Sequence, residues 1–233
     1  MQIPQIVAHR GYSARWPENT VASCRAAIAA GADFVEADVR FSADGTLFCF
    51  HDPVLSRLTG SSRQIAESSD AELRAVRYTG EAPAAFEEIV AEISGKSGLL
   101  IDVKLAGDAV LRAVHRVLEN AAWPQNVWLG LRSAQQAEAA RALFGDRVRI
   151  LALLPDLADA EAFLATGADA LRLWEQDIGT ATAQELKAKA PVWVTAGKVD
   201  GRAPGDLDEA SRARILAFEP AAVLVNDPVF LAG

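Results

Sequence analysis

The sequence predicts an α/β protein built as a (β/α)8 TIM barrel, and three observations predict it. Short runs rich in Val, Leu and Ile recur along the 233 residues, most separated by Ala-, Glu- and Arg-rich segments long enough for a helix. Such alternation is expected of parallel β/α units. Nine runs can be counted, and one connection between them is too short to join parallel neighbours. The length also suits one barrel, which takes about 200–250 residues. A doubly wound sheet is the alternative.

In order, the strand-like runs are 6–9, 33–39, 46–51, 99–104, 126–131, 148–153, 169–174, 191–196 and 222–227. Helical segments fall at 19–30, 107–121, 133–144 and 156–166. Gly31-Ala32-Asp33 and Gly167-Ala168-Asp169 each close an Ala-rich helix ahead of a strand. Glycine suits that joint because the helix C′ position usually needs positive φ. Between Val39 and Thr46 lie only six residues, RFSADG, whereas a parallel crossover needs about a dozen. Asp44-Gly45 is a hairpin signal, so 46–51 is expected to pair antiparallel with 33–41, leaving eight parallel strands. Residues 53–98 open on a polar, turn-rich stretch, PVLSRLTGSSRQIAESSDAEL. They are expected to form an insertion on the C-terminal face, where barrel enzymes carry their sites. This insertion reads as a lid or substrate wall, with 53–82 at the pocket mouth. The loop 197–208, GKVDGRAPGDLD, is rich in Gly. The expected organisation is a single domain, 1–233.

Composition narrows the function. Lys and Arg number 23 against 31 Asp and Glu, a net charge of −8. Without a basic run, such a chain is unsuited to nucleic acid, which demands clustered cations. Cys24 and Cys49 are too few for a disulfide framework and lack the CxxC spacing of a zinc site. No stretch reaches the ~18 apolar residues of a membrane span, so stable membrane insertion is not expected. The start, MQIPQIVAHRG, lacks the pattern of a secretory signal. A cytoplasmic, reduced setting is the expectation.

Charges appear where a barrel should be apolar. In FVEADVRF, alternation puts Glu36, Asp38 and Arg40 on one face and Val35, Ala37 and Val39 on the other. In LLIDVKL, Asp102 and Lys104 share a face. Strands of parallel barrels are usually apolar on both faces. Neighbouring buried carboxylates repel each other and lose hydration, and a divalent cation removes that conflict. His9 and His51 each end a predicted strand. In the hairpin, a two-residue turn would pair Asp38 with His51 and a four-residue turn would pair Glu36 with His51. Either register brings His51 beside the carboxylates. His115 lies in the helical run AVLRAVHRVLE and reads as structural. An oxygen-lined cation site suits Mg2+ or Ca2+. With Arg10 and Lys104 nearby and two imidazoles free for proton transfer, the set reads as phosphoryl chemistry.

These residues carry a resemblance to the glycerophosphodiester phosphodiesterase family. It runs through HRG at 9–11, PENT at 17–20, Glu36-x-Asp38, His51-Asp52-Pro53 and RLTG at 57–60. Thinner echoes follow in PAAFEE at 83–88, Asp102-x-Lys104 and NDP at 226–228. The resemblance implies a metal-dependent barrel enzyme that hydrolyses small glycerophosphodiesters to sn-glycerol 3-phosphate and an alcohol. It implies Glu36 and Asp38 as metal ligands, with Asp102 in the third slot. His9 and His51 become the acid–base pair, His51 serving as acid to the leaving alcohol. Arg10 and Lys104 become phosphate clamps, and Glu18 supports them at the substrate. Asp102 stands where the family has Glu, and GLRS at 130–133 and TAGK at 195–198 also depart from its pattern. Asp102-x-Lys104 is similar to sphingomyelinase D as well. Phospholipase D-like hydrolysis of lysophospholipids and a non-catalytic barrel that binds a phosphorylated metabolite are therefore the alternatives.

Overall fold

The computed structural model describes residues 4–233. Eight strands form a closed parallel barrel: β1 (Gln5–Ala8), β2 (Phe34–Phe41), β4 (Gly98–Val103), β5 (Val127–Leu131), β6 (Arg149–Leu153), β7 (Ala170–Trp174), β8 (Val192–Thr195) and β9 (Ala222–Val225). They pair in that order, and β9 returns to β1. β3 (Leu47–Cys49) lies outside the ring, antiparallel to β2.

Strand alternation builds two apolar layers. Val35, Ala37, Val39, Leu99, Ile101 and Val103 point outward under the helices. Val7, Phe34, Leu100, Trp128, Leu151 and Trp193 point inward and plug the barrel. The Trp193 ring centre lies 4.6 Å from Trp128 and 5.5 Å from Phe34. Covering helices include α1 (Val21–Ala29), α4 (Phe86–Ile93), α5 (Asp108–Asn120), α6 (Ala134–Phe144), α7 (Ala160–Ala165), α8 (Ala181–Lys189) and α9 (Glu209–Phe218), with α10 (Pro228–Ala232) closing the chain.

The repeated Gly-Ala-Asp joint has a double role. Gly31 and Gly167 take φ values of +82° and +77° as the chain leaves its helix. The aspartate two residues on then accepts a hydrogen bond from a neighbouring strand. Ile6 N donates to Asp33 Oδ2 and Ile150 N to Asp169 Oδ2, each at 2.7 Å.

The hairpin forms, but in neither expected register. Val39 faces Cys49, Arg40 faces Phe48 and Phe41 faces Leu47. Ser42 N donates to Thr46 O at 2.9 Å, and Gly45 takes φ +83°. This is an odd-length turn of the kind glycine in the left-handed region permits, so pairing shifts by one residue. Asp38 therefore meets Phe50, whose N–H donates to Asp38 O at 3.2 Å. His51 lies beyond the end of β3.

The stretch 53–98 divides in two. Its first part carries the short helices α2 (Ser56–Thr59) and α3 (Asp70–Ala75). It folds over Phe48 and Phe50, with Leu55, Ile65, Leu73 and Tyr78 making a small core of their own. Ser42 and Thr46 hydroxyls both donate to Asp70 at 2.6 Å, tying this part to the hairpin. The second part is α4, whose Phe86, Ile89, Val90 and Ile93 join the main core.

Candidate active site

A cavity of about 580 Å3 opens at the C-terminal ends of the strands. It takes in His9, Arg10, Glu18, Glu36, His51, Asp102 and Lys104 together. Asp38 lies beneath them, fully buried. All eight residues expected at a site are thus in one place.

The three carboxylates come from adjacent strands, Glu36 and Asp38 from β2 and Asp102 from β4, where Asp38 and Asp102 are register partners. One oxygen from each lies within 4.8 Å of the others, and all three residues are buried. Their compensation is unequal. Asp102 receives Lys104 Nζ at 2.5 Å and both Arg132 Nη atoms at 2.5 and 2.8 Å. Asp38 has Lys104 Nζ at 2.8 Å and Arg10 Nε at 3.3 Å. These cations hold Asp38 well below the usual carboxylate range and lower Asp102 too, although burial works against both. Glu36 has only the backbone N–H of Arg10, at 2.7 Å. Burial, followed by the charges of Asp38 and Asp102, pushes its carboxyl well above the ordinary value.

These residues fit a hard divalent cation. The donors are all oxygen, and Asp38 Oδ1 is buried with an ion pair but no hydrogen bond in good geometry. When ionised, Glu36 has no side chain in direct contact to offset its charge, and a cation would supply that offset. Oxygen-rich sets of this kind suit Mg2+ or Ca2+. The shorter Asp102 still reaches the cluster.

Loops after β1 hold the set in place. Arg10 and Asn19 both adopt φ +57°, an uncommon conformation for residues other than glycine. That turn aims the Arg10 N–H at Glu36. It also lets the Asn19 side chain clasp Asp38, donating through Nδ2 to Oδ2 at 2.8 Å and accepting from the Asp38 N–H at 3.1 Å. Glu18 accepts from Arg10 Nη1 at 3.1 Å and from Arg57 Nη2 at 2.6 Å. Arg57 Nε donates to Asp52 Oδ2 at 2.5 Å, and Asp52 Oδ1 is 2.7 Å from His51 Nδ1. A continuous chain of charged contacts thus links Arg10 to His51. Arg40 supports it from behind, Nε donating to His51 O at 2.9 Å. Of residues 53–98, Arg57 lines this cavity, and Leu58, Tyr78 and Thr79 line a depression that adjoins it through Ser13, Glu18 and Arg57.

The two histidines sit in unlike surroundings. His9 is buried, with Nδ1 at 2.8 Å from Asn226 Oδ1. The Asn226 amide is fixed because Nδ2 donates to Pro204 O at 3.0 Å and Asp206 Oδ1 at 2.8 Å. His9 therefore carries its proton on Nδ1, leaving Nε2 as an acceptor. Burial, helped by Arg10, lowers its pKa to about 4. His51 is more open; burial lowers it from the ordinary value, while Asp38 and Asp52 pull the other way. On α5, His115 packs against Trp123, just past that helix, and Phe144 of α6, away from the cavity.

Several residues now at the site had no role in the sequence reading. Asn19, Asp52 and Asn226 stood inside quoted motifs, and Arg132 stood inside GLRS, a departure from the family pattern. Arg172 does carry a signal in the sequence. In ALRLW it is a charged residue on the inward face, the same anomaly that marked Asp102 and Lys104.

The pattern of the glycerophosphoryl diester phosphodiesterase family matches residues 9–177. The chain belongs to this family. A glycerophosphodiester phosphodiesterase of Caldanaerobacter subterraneus is 30% identical over 115 residues, covering 46% of each chain. The match spans less than half the length of that and other curated relatives. Solved structures align over nearly the whole chain. An Oleispira antarctica phosphodiesterase in complex with the product sn-glycerol-3-phosphate is 25% identical, with a TM-score of 0.83 over 99% of this chain and 96% of that one. The glycerophosphodiester phosphodiesterase of Agrobacterium tumefaciens shares the fold at 21% identity, with a TM-score of 0.81 over 98% and 99%.

Proposed function

We propose that the chain hydrolyses glycerophosphodiesters to sn-glycerol 3-phosphate and an alcohol, using a divalent cation and the two histidines. The observation that carries this reading is the acidic cluster, three buried carboxylates within 4.8 Å, sharing one cavity with His9 and His51. Family membership and the product complex of the Oleispira relative support it. Half of the residues that line the cavity are charged, which suits a water-soluble diester better than an acyl chain. Among the described residues no helix is long and apolar enough to cross a membrane. A cytoplasmic setting is part of the same proposal.

Glu36, Asp38 and Asp102 would hold Mg2+ or Ca2+. Bound there, the ion would polarise the phosphoryl oxygens and offset charge that develops on them. Arg10 and Lys104, already beside the carboxylates, bind the phosphate and stabilise its transition-state charge. Glu18 fixes the Arg10 guanidinium. His9 is neutral at physiological pH with Nε2 free, so it accepts a proton from the attacking water, whose oxygen joins phosphorus as the bond to the leaving alcohol breaks. His51 is oriented through Nδ1 by Asp52 and donates its proton to the leaving alcohol. The stretch 53–98 is assigned to this single domain as a wall that acts on the site through Arg57.

The test is release of sn-glycerol 3-phosphate from glycerophosphoglycerol, glycerophosphocholine and glycerophosphoethanolamine across Mg2+, Ca2+ and Mn2+. Activity with added metal and its loss in chelator are expected. No release from any diester with any of these ions would overturn the reading.

A further inference from the structure

The wall of the cavity across from the carboxylates bears a charge that the reaction does not use. In a closed eight-stranded barrel each strand faces the one four places on, so β7 stands opposite β2 and β8 opposite β4. Arg172, from the middle of β7, is only 7% exposed and lines the cavity. Its Nη1 is buried without a hydrogen-bond partner. Arg10, Arg57, Lys104 and Arg132 are each paired with a carboxylate, but Arg172 makes no ion pair among the described residues. A buried guanidinium without an acceptor is costly, and here it is held rather than free to leave. It lies over the Trp174 ring at 4.1 Å, and Lys198 Nζ approaches the same ring at 3.7 Å. Lys198 also lines the cavity, from a backbone turn at φ +58°. Burial lowers the pKa of both cations, and Arg172 lowers Lys198 further.

Substrate chemistry limits what these cations can meet. Glycerol is uncharged, and the single charge of the scissile phosphodiester belongs beside Arg10 and Lys104. The far cations are left for the alcohol half of the substrate. Trp174 does not offer a cage to a quaternary ammonium, because two cations of the protein already occupy its ring.

We propose that Arg172 and Lys198 form a second anion subsite, selecting glycerophosphodiesters whose leaving alcohol carries its own oxyanion, a carboxylate or a phosphate. This inference rests on the diesterase reading above and adds the substrate class to it. The test compares kcat/KM for four diesters of glycerol 3-phosphate. Their alcohols are glycerol, choline, glycerate and inositol 4-phosphate. The anionic pair is expected to exceed glycerol by about tenfold or more, the scale of a charge-assisted contact, and choline to be poorest. The better of the two anions tells carboxylate from phosphate. Arg172→Met is expected to collapse the anionic-to-neutral ratio. Lys198→Met, on an exposed loop, tests the same surface should the first variant not fold. A wild-type preference for choline or glycerol, or a ratio unchanged in both variants, overturns the subsite and leaves the diesterase reading standing. If no diester is hydrolysed, the diesterase reading fails, and calorimetry decides the subsite separately. Glycerophosphoinositol 4-phosphate should then bind at least about tenfold tighter than glycerophosphoinositol, with the difference lost in Arg172→Met. Equal binding by the wild type overturns it.

Discussion

Glu36→Gln should stabilise the protein without metal and shrink the stability that metal adds. In the folded chain the Glu36 carboxyl is pushed well above its ordinary value of 4.5, chiefly by burial and then by Asp38 and Asp102; the pull of Lys104 and Arg10 is outweighed. The folded state therefore holds the Glu36 proton more tightly than the unfolded state does. Below the unfolded value both states are protonated and the group contributes nothing. As pH rises above it the unfolded chain releases its proton first, so stability falls by about 1.4 kcal/mol per unit until the folded value is passed. Glutamine does not titrate, and its Oε1 can still accept from Arg10 N. In chelator the variant should match the wild type near pH 4.5 and be the more stable of the two at pH 8, because only the wild type loses stability over that interval. Metal works against the variant. A ligand at a hundred times its Kd stabilises by about 2.7 kcal/mol, and a neutral amide in place of a carboxylate forfeits part of that gain. Urea denaturation at pH 4.5, 6 and 8, in EDTA and in saturating Ca2+ or Mg2+, reads both effects. A variant less stable than the wild type in EDTA at pH 8, or an equal gain from metal in both proteins, would refute the reasoning.

Other perturbations address the rest of the site. His9→Ala and His51→Ala should each lower kcat by about 10² or more, read as glycerol 3-phosphate release from chains with unchanged circular dichroism; near-normal turnover removes that histidine from the mechanism. Gly205 has φ +85°, and a Cβ there would lie 2.7 Å from His9 Nδ1 and press on Asn226 Oδ1. Gly205→Ala should therefore depress kcat while leaving Ca2+ affinity, measured by calorimetry, near the wild-type value; full activity would show that the Asn226 contact does not position His9. Asn19→Ala leaves the buried N–H and carboxylate of Asp38 short of partners, at about 1–3 kcal/mol for each unsatisfied group. A loss of about 2 kcal/mol or more in urea denaturation is expected, and a loss below 0.5 kcal/mol, about the level of an ordinary surface change, would contradict the clasp.

The barrel and most of its site were legible because each rested on a local conflict visible in sequence. Glu36, Asp38 and Asp102 occupy inward positions on strands that should be apolar, so their placement follows from alternation alone. The hairpin was legible as a consequence of connection length, but its register was not. That depended on the turn taking an odd number of residues, which Gly45 permits and composition does not reveal. The partners of the histidines stayed hidden for a different reason. Asn226 reaches His9 across 217 residues of chain, and Arg57 joins Glu18 to Asp52 only after the 53–82 stretch folds over Phe48 and Phe50. Such pairings are made by tertiary packing and leave no periodic trace. Arg172 is the instructive exception. Its strand gives the same warning as Asp102-x-Lys104, yet no acid follows it in register to suggest a pair. That missing partner is what makes Arg172 informative, because a barrel interior keeps an unpaired guanidinium only where something outside the chain can satisfy it.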